Sequence, residues 1–236
     1  MGRLRFRHGR KVNQPANDDD QDDDQDDDSG HGLRLVLSID RAFGELGRRC
    51  IVLPAMDLAK RLDRPVVLVG LMGVGKSTVG RRLARRLGLP FVDSDAAIED
   101  ASGFSAAEVY ERYGEDDFRD GERRLVARLI EGDVRVIATG GGAYVDSRTR
   151  QLLNERAITV WLDAPVDILT ERTSRRNTRA QLRNVDPKSV LARLDLERRP
   201  SYEEAHIHVK SGDGAHREVV DSIVDALAAF LDARSV

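Results

Sequence analysis

The run Val66-Val67-Leu68-Val69-Gly70-Leu71-Met72-Gly73-Val74-Gly75-Lys76-Ser77-Thr78 decides how this chain is read. Its aliphatic start predicts a short strand, and the glycine-rich turn leads into an amphipathic segment over 76–87. There Val79, Leu83 and Leu87 recur at helical spacing while the arginines face the other way, which predicts a helix. Gly70 to Thr78 satisfies GxxxxGK[ST] between that strand and that helix, a match expected by chance on the order of 0.003 times in a chain of this composition. Glycines let backbone N–H groups wrap closely around phosphate oxygens, and the helix that begins at Lys76 adds the positive end of its dipole. Lys76 has the reach for β- and γ-phosphates and Ser77 offers a hydroxyl to Mg²⁺. A nucleotide is the expected ligand.

Outward from this run the pattern continues as strands alternating with amphipathic helices. Further strands are expected at PFVDSD (90–95), RVIATG (135–140), TVWLD (159–163) and HIHVK (206–210). Five strands separated by helices imply an α/β fold with a parallel sheet covered by helices on both faces, in which ligands sit beyond the carboxyl ends of the strands. The residues with chemical character fall at those ends. Asp93 and Asp95 are two apart, so in an extended strand both carboxylates share one side. One is suited to a metal and the other to an acceptor hydroxyl, although a turn or helix cap accounts equally for such a pair. Arg119 and Glu122 at i and i+3 on a helix let the carboxylate hold the guanidinium fork. Gly140-Gly141-Gly142 suggests a ligand close to the backbone, or else a plain turn. The arginine-rich stretch 172–183 (RTSRRNTRAQLR) reads as a lid closing over anions or as a solvated basic loop. Arg198 precedes Arg199-Pro200-Ser201-Tyr202, where the proline suits the first turn of a short helix.

The chain has 236 residues, 40% hydrophobic and 33% charged, enough for one moderate domain with appendages. No stretch approaches the roughly 20 apolar residues of a membrane-spanning helix. A single cysteine, Cys50, excludes an intramolecular disulfide and fits a cytoplasmic protein. The net charge of -3 hides two opposed segments. Nine aspartates lie between Asp18 and Asp28, five basic residues lie between Arg3 and Lys11, and the remainder from 29 to 236 carries +1. A nearly neutral body argues against a nucleic-acid surface. Residues 1–32 are expected to be a disordered basic and acidic tail, because the DDDQ repeats repel one another and supply no core. Residues 33–64 form a short extension of unassigned role, and 65–236 the main domain. Met56 lies just ahead of the first strand, so a chain begun there is expected to be catalytically complete. The first ten residues lack the apolar segment of a secretory signal.

GLMGVGKST, FVDSD, DDFRDGE, ATGGGA and an arginine stretch followed by RxPxY, in this order over about 65–230, resemble shikimate kinase. The resemblance implies a fold similar to nucleoside monophosphate kinases and ATP-dependent phosphorylation of the 3-hydroxyl of shikimate, a step towards chorismate and the aromatic amino acids. It implies that Gly73, Val74, Gly75, Lys76, Ser77 and Thr78 bind phosphates, that Ser77 ligates Mg²⁺, and that Asp93 supports the metal through water. Asp95 would bind the shikimate hydroxyls and orient or deprotonate the attacking one. Arg119 and Arg198 would bind the shikimate carboxylate, with Gly140, Gly141 and Gly142 lining the substrate. Arg172 would lie near adenine and Arg179 would be the lid arginine that reaches the phosphates. Lys76, Asp95 and Arg179 are then the catalytic set. The implied partners are shikimate and ATP, without nucleic acid or membrane, for a monomer. The lid departs from the usual Arg-Pro-Leu-Leu, reading Arg179-Ala180-Gln181-Leu182, which removes a φ constraint and one apolar contact. Two alternatives are another P-loop small-molecule kinase and a sensor module of similar fold within a regulator.

Overall fold

The computed structural model describes residues 55–174 and 186–234. It contains a five-stranded parallel sheet in the order β2-β3-β1-β4-β5, formed by β1 (Val66–Val69), β2 (Phe91–Asp93), β3 (Val136–Ala138), β4 (Ile158–Asp163) and β5 (Ile207–Lys210). All five strands lie where the alternation expects them; four are trimmed at their ends, and β4 begins one residue earlier. Successive side chains of a strand point to opposite faces, so a strand with every residue buried is covered on both. β1 and β4 are buried throughout, whereas the edge strand β5 alternates buried with exposed.

The helices are α1 (Ala55–Arg61), α2 (Lys76–Leu87), α3 (Ser94–Ser102), α4 (Ala106–Ile130), α5 (Ser147–Arg156), α6 (Val166–Ser174), α7 (Pro187–Tyr202) and α8 (His216–Arg234). α2 spans the predicted residues. It buries Val79, Leu83 and Leu87 against the sheet and α8, and ends at Gly88, whose N–H closes on the carbonyls of Ala84 and Arg85. α4 begins with a capping box of Ser105 and Glu108 and is broken at Gly114, where φ +80° and ψ 175° interrupt the helix. A small satellite cluster spans that break. Val109 and Phe118 join Ile98 of α3 in it, while Val126 and Ile130 enter the main core.

Two expectations are revised. Asp95 is not a strand residue: β2 ends at Asp93, whose side chain accepts a hydrogen bond from the Asp95 N–H and caps α3. The capping explanation of the pair therefore applies to Asp93, and Asp95 belongs to the first turn of α3. Pro200 lies in the last turn of the long helix α7, and it is Pro187 that occupies a first turn. In that last turn Pro200 lacks the N–H that would bond the carbonyl four residues back, a loss that a proline in a first turn avoids. Of the segment left without a role, the part at α1 packs on the main core: Leu58 is 1% exposed and Leu62 6% exposed. The tail expected over 1–32 and most of 33–64 lie outside the described residues, as do Arg179, Ala180 and Gln181.

The packing of α1 carries a test. Leu58→Ala is expected to destabilise the chain by about 2–5 kcal/mol in urea denaturation. A chain begun at Met56 keeps Leu58 and Leu62, whereas one begun at Pro65 loses both and should show a clearly lower thermal midpoint.

Candidate active site

β1 lies between β3 and β4, and the chain runs out to β2 on one side and β4 on the other, so the crevice for a ligand opens beyond the carboxyl end of β1. The glycine-rich turn sits there. Gly75 adopts φ +97° at the N-cap of α2, a backbone conformation in which side chains are strained. No side chain caps α2, and no acidic residue lies in its first turn, so its N-terminal dipole is left for an anion. Lys76 is buried, and its ammonium donates to the carbonyls of Gly70 (2.8 Å) and Leu71 (2.9 Å). The Ser77 hydroxyl donates to Asp93 Oδ2 at 2.6 Å, which ties the start of α2 to the end of β2. A hydroxyl and a carboxylate side by side form an all-oxygen donor pair that suits Mg²⁺, an ion that retains most of its waters. Among the described residues no cluster of three or more His, Cys, Asp or Glu side chains could hold a metal as a dedicated cage.

Beside this cradle is a cavity of about 490 Å³ lined by Met72 of the turn, Asp95, Phe118, Arg119, Glu122, Arg198 and the three glycines. All the predicted substrate residues meet here. A Cβ on Gly140 would come within 2.8 Å of Asp95 Oδ1 and 3.1 Å of Glu122 Oε1, and one on Gly142 would collide with the Arg119 guanidinium. These glycines thus make room for charged side chains. Ser94, fully buried between the two aspartates, accepts a hydrogen bond from the Gly140 N–H at 3.0 Å.

The two arginines are held differently. Arg119 donates to Glu122 at 2.6 Å and has Glu115 at 3.8 Å. Burial pushes the Glu122 carboxyl above its ordinary value, against the pull of the Arg119 charge. Arg198 instead donates to the Gly141 carbonyl at 3.2 Å, and among the described residues no carboxylate pairs with it. Its charge is open to an anion. Arg172 lies apart, at the end of α6, where it donates to the Gly212 carbonyl at 2.6 Å and more weakly to that of Val74 at 3.4 Å. It therefore bridges the phosphate turn and the segment before α8.

Sequence reasoning overlooked two members. Ser94 was passed over between two more conspicuous aspartates, and nothing local marks its bond to Gly140. Tyr202 ends the RxPxY string, but its partner, the Gly141 carbonyl at 2.6 Å, is 61 positions away.

Removal of Arg119 is expected to leave Glu122 buried without its counter-charge. Arg119→Leu should cost about 3 kcal/mol of stability near pH 7. The substitution raises the folded-state pKa of Glu122 further, while the unfolded state titrates alike in both chains. The cost therefore sets in only above the already raised folded-state pKa of Glu122 and fades below it, where the carboxyl is neutral in both folded chains. Denaturation at about pH 7 and pH 4 checks this, and adding Glu122→Gln should recover most of the loss. An unchanged penalty in the double variant would mean that Arg119 acts through packing alone.

Proteins similar to this chain in sequence and in fold are known. The family model described as shikimate kinase matches residues 72–228. The chain is 50% identical over 169 residues to the shikimate kinase of Rhodopseudomonas palustris, covering 72% of this chain and 83% of that one. It is 52% identical over 171 residues to that of Caulobacter vibrioides, covering 72% and 86%. Among solved structures it is similar to shikimate kinase from Acinetobacter baumannii in complex with shikimate, with TM-score 0.69 and 36% identity over 75% of this chain and 98% of the other. From the phosphate turn to α8, this chain belongs to the shikimate kinase family.

Proposed function

We propose that the chain transfers the γ-phosphoryl group of ATP to the 3-hydroxyl of shikimate. The observation that carries this reading is the contact between the two halves of the site: Met72, within the phosphate turn, also lines the cavity of Asp95, Arg119 and Arg198. A nucleotide in the cradle and a hydroxylated carboxylic acid in the cavity would be neighbours. Positioning and charge neutralisation are most of what phosphoryl transfer requires.

The roles follow from the chemistry of each group. The backbone of Gly73–Thr78 and the N-terminus of α2 bind phosphate oxygens. Lys76 exchanges the carbonyls of Gly70 and Leu71 for phosphate and offsets negative charge as the bond to the leaving ADP breaks. Arg119, oriented by Glu122, and Arg198 take the carboxylate of the acceptor as charge-assisted forks. Asp95 accepts a hydrogen bond from the attacking hydroxyl and receives its proton as the new P–O bond forms. Gly140, Gly141 and Gly142 let the sugar-like ring approach the backbone. Arg172 sits by the nucleotide at the α8 side, and Arg179 serves as the lid cation. Ser77 and Asp93 are the residues that would hold Mg²⁺, which supplies charge neutralisation for the phosphates. The enzyme is proposed to be a cytoplasmic monomer, on the sequence reading alone.

Shikimate-dependent ADP release by the purified chain is the direct test, and ADP formation indifferent to shikimate would overturn the reading. Lys76→Ala should lower kcat by well over tenfold, a loss above about 1.4 kcal/mol of transition-state stabilisation. Arg198→Ala should raise KM for shikimate far more than KM for ATP. Equal effects on both substrates would remove Arg198 from the carboxylate.

A further inference from the structure

The carbonyl of Gly141 accepts two hydrogen bonds from α7. Arg198 Nη1 lies at 3.2 Å and the Tyr202 hydroxyl at 2.6 Å. The two donors are not equivalent. Tyr202 is fully buried, its ring stacked on Tyr144 (6.4 Å, interplanar 9°) and on Trp161 (6.0 Å, interplanar 23°). Tyr144 follows the glycine run and donates to Asn154 of α5 at 2.7 Å. Three aromatic rings thus fasten the glycine segment to α7 and β4, and the phenol is fixed. Arg198 is only part-buried and has a long, rotatable side chain.

An arginine that binds the acceptor carboxylate must redirect N–H groups from the partners they hold in its absence. Gly141 is half-buried at the cavity wall, and a carbonyl there that is shut off from water by bound substrate while its only donor leaves carries the cost of desolvation, which would be charged against substrate affinity. A carbonyl that keeps a second donor does not. We propose that Tyr202 is a positioning residue for substrate binding: its hydroxyl keeps the Gly141 carbonyl satisfied, so that Arg198 can turn to the shikimate carboxylate without orphaning it. The inference rests on the reading above for what Arg198 binds. Burial of the phenol, together with the nearby Asp195, drives its pKa up to about 12 against the Arg198 charge and hydrogen bond, so it stays a donor at any working pH.

Tyr202→Phe tests this cleanly, because the ring, its volume and both stacking partners are kept. Calorimetric titration of ATP-free enzyme with shikimate should show Kd raised about tenfold, equivalent to about 1.4 kcal/mol, while nucleotide affinity stays within twofold. In the Arg198→Ala background the same substitution should leave shikimate affinity unchanged, since no mobile donor remains to be released. A purely structural tyrosine would lower the thermal midpoint in both backgrounds and either spare shikimate affinity or weaken it equally in both; each result overturns the proposal. A wild-type chain that takes up no shikimate overturns the functional reading itself, a result distinct from wild-type binding that Tyr202→Phe leaves unaltered.

Discussion

The described residues are arranged around a strand with no room on either side. β1 is hydrogen-bonded to β3 and β4 and covered on both faces. Where it ends, a side chain on Gly70 would sit 2.5 Å from the Leu162 carbonyl. The chain can leave this slot only as bare backbone, and it turns at once into α2. That constraint delivers backbone N–H groups, a helix N-terminus and a buried ammonium to one point at the sheet edge. Parallel strands then bring the ends of β2 and β3 to the same edge, which is why Asp93 and the glycine run stand beside the phosphate turn without being near it in sequence.

The charges at that edge fall into two kinds. Arg119 is already neutralised by a carboxylate buried beneath it, so its fork is set in orientation before any ligand arrives. Arg198 is held by a carbonyl and keeps its charge for use. A site built only of the first kind would bind anions weakly, and one built only of the second would be costly to fold. Pairing a fixed cation with an uncompensated one gives both orientation and affinity for a small carboxylate.

How much of this was legible in the sequence depends on distance along the chain. The phosphate turn is contiguous, so its residues, its strand and its helix could be read with their boundaries. The convergence of Asp95, Arg119, Gly140–Gly142 and Arg198 was recognisable through the family resemblance, since spacing alone left each with a plain structural alternative. What escaped were bonds between distant positions, Ser94 to Gly140 and Tyr202 to Gly141, because nothing local marks which residue pairs with which. Asp95 was misassigned because strand and helix cap differ there by one residue of backbone. Pro200 misled because proline favours first turns, a preference that the packing of α7 overrides. Leu58 and Leu62 belong to the main core although composition set their segment apart, because two apolar residues in a short helix are a weak signal until a neighbouring groove accepts them.

The break in α4 bears on how this protein opens. A continuous helix transmits a disturbance along its length, because each turn depends on the hydrogen bonds of the next. At Gly114 that dependence is interrupted, and the residues around the break, Val109 before it and Phe118 after it, share with Ile98 one small cluster and a few partly buried neighbours. So small a cluster supplies far less free energy than the main core, and α3 with α4 as far as Phe118 is expected to open more readily than the sheet. In amide hydrogen exchange this hairpin would report its own low opening free energy, while β1 and the far half of α4 exchange through global unfolding. The wall of the acceptor cavity that carries Tyr110 can therefore come away and return while the phosphate turn stays folded.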